Sequence, residues 1–184
     1  MKFTPWLVAV VGLSAALAHG AAPTVDPIPP LSFDGIQYLH RWSGLDQFEF
    51  TPEGQEDLDH FADMLTVDPY MMVKDGDGLA KMANGVLANY KKSRAIILGT
   101  HSVPRTPEKP AEHFIAAVFG RPDFLEAVFA RFRMVDGVGC AYVYSHRLYG
   151  KAGPEMSKWL SAHGQQVEKA LMNAEDLPSP VILH

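Results

Sequence analysis

The chain has 184 residues, and its 16 Lys and Arg residues against 21 Asp and Glu residues give a formal net charge of −5. This length is typical of one domain with a single sizeable core. The acidic balance argues against nucleic acid or an anionic membrane surface as a partner, because both attract basic proteins. Cys140 is the only cysteine, which excludes an internal disulfide and predicts a small, buried apolar residue.

The N-terminus predicts export. Lys2 precedes an apolar run from Trp6 to Ala18 that is too short to span a bilayer comfortably. Small residues follow, and Ala16-Leu17-Ala18 matches the pattern that signal peptidase cleaves, with a slightly later site as the alternative. We therefore expect a periplasmic or secreted protein with no transmembrane segment after cleavage.

Composition divides the chain into four segments. A signal peptide is predicted at residues 1–18, an extended Pro- and Ala-rich leader at 19–34, one α+β domain at 35–175 and a C-terminal tail at 176–184. The sequence shows no internal repeat, so we expect the elements of the domain to share one core.

The first elements of the domain are two short strands, at Ile36–Trp42 and Gln47–Phe50. Thr51-Pro52 then predicts a helix start, because Thr is a good N-cap residue and Pro fits the first helical turn. Apolar residues continue at helical spacing as far as Leu65, although a strand over Met64–Val67 is the alternative.

A long helix follows, with Asp77 as its expected N-cap. Its apolar stripe repeats at helical spacing and comprises Leu79, Met82, Ala83, Val86, Leu87 and Tyr90. A strand at Arg94–His101 comes next. A last helical region begins at Gly153-Pro154-Glu155, and Gly164 either ends or kinks it.

The central segment, residues 111–148, predicts an antiparallel meander. Gly120-Arg121-Pro122-Asp123 and Asp136-Gly137 are turn signals that divide it into strands at 111–119, 124–135 and 138–148. A helix over Pro122–Phe132 is the competing interpretation, because Pro suits a first helical turn and the apolar spacing is also helical. The aromatic content and the Asp-Gly turn favour the strand.

The two turns also predict a register. The Asp136-Gly137 turn places Arg131 opposite Tyr142, and the earlier turn places Glu112 opposite Arg131, with Arg133 diagonal to this row. Such opposed charges stabilise a sheet by roughly 0.2–1 kcal/mol per pair. Alternatively, the row is an anion pocket in which the two arginines bind a carboxylate or phosphate and Tyr142 orients it.

The same register opposes Glu126 to Arg147 on the other face of the sheet, where Ala117 is expected to face Glu126 as well. It also directs His113 and His146 to opposite faces, so these two histidines are not expected to share a ligand. Because neighbours on a strand point apart, Ser145 and His146 cannot form a nucleophile–base pair.

Metal-binding patterns are weak. Asp75-Gly76-Asp77-Gly78 resembles a calcium loop but lacks the later ligands of an EF-hand. Glu56, His60 and Asp63 would share one face of the predicted helix and are the best metal candidates, but the pattern favours a solvated acidic face, since no two-histidine motif accompanies it. We predict no metal and no cofactor.

These elements predict an α+β fold, a single domain with an antiparallel sheet and helices packed on it. Three segments resemble uncharacterised exported bacterial proteins: Phe48-Glu49-Phe50-Thr51-Pro52, Ala111-Glu112-His113 and Tyr144-Ser145-His146-Arg147-Leu148-Tyr149-Gly150. The element order resembles the PsbP/DcrB-like sandwich of exported or lumenal proteins. That resemblance implies an accessory or binding protein and carries no catalytic residue across.

The sequence therefore predicts an exported, non-catalytic module that binds a protein or a small anionic ligand, and no nucleic acid. The alternative is a small periplasmic enzyme of hydrolase type. Its site would use Arg131, Arg133 and Tyr142, with Glu112 or a nearby histidine.

Overall fold

The structure is a computed structural model that describes residues 28–44, 47–175 and 177–179. The predicted signal peptide and the first part of the leader lie outside the described residues, as does most of the predicted tail. The described residues form one α+β domain with an eight-stranded antiparallel sheet and two helices.

The elements in chain order are β1 (Leu31–Phe33), β2 (Ile36–Gly44), β3 (Gln47–Pro52), β4 (Asp63–Tyr70), α1 (Gly76–Lys92), β5 (Ile96–Val103), β6 (Glu112–Gly120), β7 (Phe124–Val135), β8 (Val138–Tyr149) and α2 (Gly153–Asn173). β1 begins inside the segment that was predicted as leader, so the folded domain starts before residue 35.

The strand order across the sheet is β1-β2-β3-β4-β8-β7-β6-β5. The chain builds one half of the sheet from β1 to β4, crosses to the far edge through α1, and returns through β6 and β7 to β8. The last strand therefore lies in the middle of the sheet, beside β4. β6, β7 and β8 pair in sequence, whereas the order of the whole sheet is not a simple meander.

The β7–β8 register agrees with the prediction from the Asp136-Gly137 turn. Val135 opposes Val138, and Arg131 opposes Tyr142. Asp136 and Gly137 have φ values of 47° and 77°, the left-handed conformations that a type I′ turn requires. The helical alternative for Pro122–Phe132 is wrong, because Phe124–Val135 is a strand.

The predicted β6–β7 register is wrong by two residues. Phe119 opposes Glu126, Phe114 opposes Arg131, and Ala117 opposes Val128 instead of Glu126. The pairing starts nearer the turn than predicted, with the Arg121 N–H donating to the carbonyl of Phe124. Because side chains alternate with a period of two, this shift leaves every residue on its predicted face.

The helix predicted to start at Thr51 is also wrong. Thr51 and Pro52 end β3, and β4 begins at Asp63 after a stretch of turns. The Thr51 hydroxyl donates to the carbonyl of Gln55 at 2.5 Å and accepts from Arg41 Nε at 3.0 Å, so it stabilises a turn rather than a helix start. β4 is largely buried on both faces because it lies between β3 and β8 in the sheet.

The two helices cover opposite faces of the sheet. α1 packs Leu79, Ala83 and Tyr90 onto β5, β6 and β7, while α2 packs its buried residues onto β7 and β8. Asp75, not Asp77, is the N-cap of α1, and its carboxylate accepts from the Gly78 N–H at 2.7 Å. α2 continues through Gly164. Within the described residues, neither helix combines the length and apolarity that crossing a bilayer requires.

Candidate functional site

A cavity of about 190 Å³ lies on the α2 face, between the β1–β2 hairpin, the central strands and the helix itself. Its polar and aromatic lining includes Asp34, Tyr38, Asp63, Tyr144, His146 and Trp159. No Lys or Arg belongs to its lining among the residues that the structure describes.

The pairing of β4 with β8 brings the central groups of this cavity together. Asp63 opposes His146 across the two strands, and Tyr144 lies two residues earlier on β8 and therefore on the same face. Asp63 Oδ1 accepts from the Tyr144 hydroxyl at 2.6 Å and from His146 Nδ1 at 2.8 Å. Burial opposes the charge, but these two hydrogen bonds keep the pKa of Asp63 below its usual value. The carboxylate is therefore ionised at neutral pH.

His146 has one nitrogen without a partner. Its side chain is almost wholly buried, with 8% of the residue exposed, and its ring stacks on Trp159 with centroids 3.9 Å apart and planes 5° apart. Nδ1 must donate, because the ionised Asp63 can only accept. Nε2 of the neutral ring is then a hydrogen-bond acceptor, and it has no hydrogen-bond partner. A buried unsatisfied acceptor of this kind costs about 1–3 kcal/mol.

Two carboxylates give the cavity a negative field. Asp34 lies in the β1–β2 turn, with φ of 48°, and its Oδ2 accepts from Gln166 Nε2 of α2 at 2.7 Å. Tyr38 also lines this cavity. Its pKa is raised, first by burial and then by the charges of Asp63 and Asp34. Asp34 and Asp63 therefore both place negative charge beside the same cavity.

The residues of the predicted anion pocket lie together, but their donors bind the protein's own backbone. Arg131 is 2% exposed and its Nε donates to Glu112 Oε2 at 2.7 Å. Its Nη1 donates to the carbonyls of Leu171 and Ala174 at 2.9 and 2.8 Å, at the end of α2.

The other two donors of the predicted anion pocket also bind backbone carbonyls. Arg133 Nη1 donates to the carbonyl of Ala174 at 3.3 Å, and the Tyr142 hydroxyl donates to the carbonyl of Pro178 at 2.8 Å. The groups that were expected to receive an anion therefore hold the C-terminal end of α2 and the segment after it.

Glu126 and Arg147 oppose each other on the α1 face, as predicted, with 3.3 Å between Glu126 Oε2 and Arg147 Nε. The Arg147 guanidinium also lies over the rings of Phe61 and Phe124, at 3.9 and 4.4 Å from their centroids. Stacking on two rings buries this cation without leaving it uncompensated.

The metal candidates are not brought together. Glu56 binds Arg41 at 3.0 Å, His60 binds Asp57 at 2.9 Å, and Asp63 faces the cavity. The predicted shared face does not exist, because these residues do not lie on a helix. Among the described residues, no group of three or more acidic, histidine or cysteine side chains could hold a metal ion.

A second polar pair lies on the opposite face of the sheet. Ser102 and His113 oppose each other across β5 and β6, with 2.8 Å between Ser102 Oγ and His113 Nδ1. Burial lowers the pKa of His113. Its Nε2 has no hydrogen-bond partner, so no carboxylate orients the ring.

Each pair therefore has only part of a nucleophilic site. Ser102 and His113 form a nucleophile–base pair without an orienting acid. Asp63 and His146 form an acid–base pair, but the described residues that line their cavity include no Ser, Thr, Cys or Lys. The sheet separates the two pairs. A complete triad needs all three groups in one place.

A comparison with protein-family models gives no match, and neither does a comparison with curated proteins.

Proposed function

We propose that the protein is an exported, non-catalytic binding module of the cell envelope, and that it binds a small molecule in the cavity beside Trp159. The unpartnered Nε2 of His146 is the main support. It is a buried ring nitrogen of a residue that lines an aromatic-walled cavity, and a bound ligand can supply its missing hydrogen-bond partner.

The distribution of reactive groups favours binding over catalysis. The cavity contains a well-oriented imidazole, but its described lining residues include no Ser, Thr, Cys or Lys side chain. The arginines and Tyr142, which the hydrolase alternative needs, donate to the backbone of the α2 end. To receive an anion, Arg131 Nη1 and the Tyr142 hydroxyl would have to release those carbonyls.

Thermal unfolding in the presence of a fragment collection tests the binding proposal. The collection should contain neutral, cationic and anionic compounds. We expect at least one compound to stabilise the protein and to lose that effect in Trp159→Ala. Trp42→Ala is the matched control, because Trp42 is 40% exposed and lies outside the cavity. If no compound stabilises the parent protein more than it stabilises the Trp159→Ala variant, the cavity is not a binding site.

A hydrolase remains the second candidate, supported by the Ser102–His113 hydrogen bond. His113 also lines a cavity of about 510 Å³ that Arg105 and Lys109 border, which would suit an anionic ester. Assays with carboxylic and phosphate esters test this candidate. Activity that Ser102→Ala abolishes would establish it; activity that persists in Ser102→Ala, or none in the parent, would exclude Ser102 as a nucleophile.

Export is supported by the N-terminal pattern of Lys2, the apolar run and Ala16-Leu17-Ala18. Intact-mass measurement on protein recovered from the envelope of a bacterial host tests it. A mature chain that starts between about residues 19 and 24 is the expected result. Recovery of the chain with Met1 to Ala18 still attached would contradict export by cleavage.

A further inference from the structure

We propose that the ligand of the cavity is a small organic cation with a primary ammonium group, which donates to the Asp63 carboxylate and to His146 Nε2. This inference rests on the proposed function, because it names the chemistry of the ligand at that same site.

Charge is the first argument. Asp34 and Asp63 both line the cavity, and no Lys or Arg side chain is among the described residues that line it. The hydrogen bonds to Asp63 come from a hydroxyl and an imidazole, neither of which is a permanent cation. A cationic ligand complements this field, whereas an anion would be repelled.

Hydrogen bonding is the second argument. With Nδ1 directed at Asp63, the neutral His146 ring offers Nε2 as an acceptor, and Asp34 and Asp63 are acceptors as well. A primary ammonium group has three N–H donors and no acceptor. It can therefore satisfy Nε2 and a carboxylate together, which a quaternary ammonium without N–H groups cannot do.

The walls are the third argument. Tyr38, Tyr144 and Trp159 border the cavity, and the faces of aromatic rings attract cations. The volume of about 190 Å³ is below the range of about 300–1,000 Å³ that drug-sized ligands occupy. The site therefore suits a compact amine better than a large polycation.

Matched pairs of probes test the charge directly. The probes are methylamine, butylamine and 2-phenylethylamine, each compared by isothermal titration calorimetry and thermal unfolding with its alcohol, namely methanol, butan-1-ol or 2-phenylethanol. 3-Phenylpropanoate is the anionic probe. We expect at least one amine to bind at least tenfold more tightly than its alcohol, and the anion not to bind.

Two variants test the location. Asp34→Asn removes one charge from an exposed turn residue with little effect on folding, and we expect two- to fivefold weaker amine binding. Asp123→Asn, another exposed turn residue, is the control and should bind the amine like the parent. Trp159→Leu should weaken amine binding at least tenfold.

The failures of the two proposals are distinguishable. If no amine exceeds its alcohol, or if the anion binds as tightly, the inference on ligand class is overturned. A neutral or anionic fragment that stabilises the parent but not Trp159→Ala would then leave the binding function in place. Amine binding that neither Asp34→Asn nor Trp159→Leu weakens would overturn the assignment to this cavity.

Discussion

Asp68 is the acidic residue whose environment most opposes its charge. It lies on β4, partly buried, and burial followed by repulsion from Glu49 raises its pKa to about 7. Glu49 is itself buried, and its pKa is raised for the same first reason. Folding removes both carboxyl groups from water, so folding is less favourable when both groups are ionised.

We predict that the contribution of Asp68 and Glu49 to stability falls as the pH rises from about 4 to about 7. In that window, a carboxyl group whose pKa is raised in the folded state keeps its proton when the protein is folded and loses it when the protein unfolds. Its ionisation at higher pH therefore favours unfolding. Asp68→Asn should stabilise the protein at pH 8 by roughly 1–2 kcal/mol and change it little at pH 4. Chemical denaturation at both pH values measures this effect.

Asp59→Asn is the control for that experiment, because Asp59 is an exposed residue of the turns before β4. It should leave the pH dependence unchanged. A variant Asp68→Asn that is no more stable than the parent at pH 8 would show that water reaches this carboxylate freely.

The end of α2 depends on a side chain from the sheet. The last turn of a helix leaves carbonyls without intrahelical partners, and α2 has no basic residue in its own last turn. Arg131 supplies the donors from β7 instead, and Glu112 neutralises it. A buried cation therefore connects the middle of the sheet to the helix that covers it.

Arg131→Ala should destabilise the protein by about 3–5 kcal/mol, because it leaves the Glu112 carboxylate and the α2 carbonyls without donors. The double variant with Glu112→Ala should cost less than the sum of the two single variants, since each already breaks the shared ion pair. Denaturant unfolding of all four proteins completes the cycle.

Arg105→Ala, an exposed residue of the β5–β6 connection, is the control and should have little effect. Strict additivity would mean that Glu112 and Arg131 do not interact. A ligand-dependent stabilisation by anions that Arg131→Ala abolishes would instead favour the anion pocket.

The whole molecule is stabilised by packing on both faces of one sheet, and Cys140 is buried on β8, a strand in the middle of that sheet. Cys140 is 0% exposed on β8, and burial raises the pKa of its thiol to about 12. A thiol that is both inaccessible and protonated does not react with labelling reagents. Labelling therefore requires the sheet to open.

We predict that Cys140 is labelled in the native protein only at the rate of cooperative unfolding, and rapidly in denaturant. Mass spectrometry after timed labelling measures both rates. Ser157→Cys places a second thiol on the exposed side of α2 and should react at once, which shows that the reagent is active. Rapid native labelling of Cys140 would mean that the sheet opens locally beside β4.

The sequence alone determined the elements whose signals are local. The Asp136-Gly137 turn set the β7–β8 register because its φ values are accessible to few other residue pairs, and the stripe on α1 follows from helical periodicity. Period-two alternation likewise placed Arg131 and His146 on the α2 face and His113 on the other. These predicted faces are correct even though the predicted β6–β7 register is wrong by two residues, because a shift of two residues keeps each side chain on its face.

Only the tertiary structure decided which distant segments meet. The apolar residues before β4 fit a helix as well as a strand until β3 and β8 pair on either side of it, and that pairing has no local signal. The same pairing brings Asp63 to His146, which lies 83 residues away, and so creates the cavity. The end of α2 likewise takes the donors of Arg131, because a buried guanidinium binds whichever acceptors the fold brings within reach.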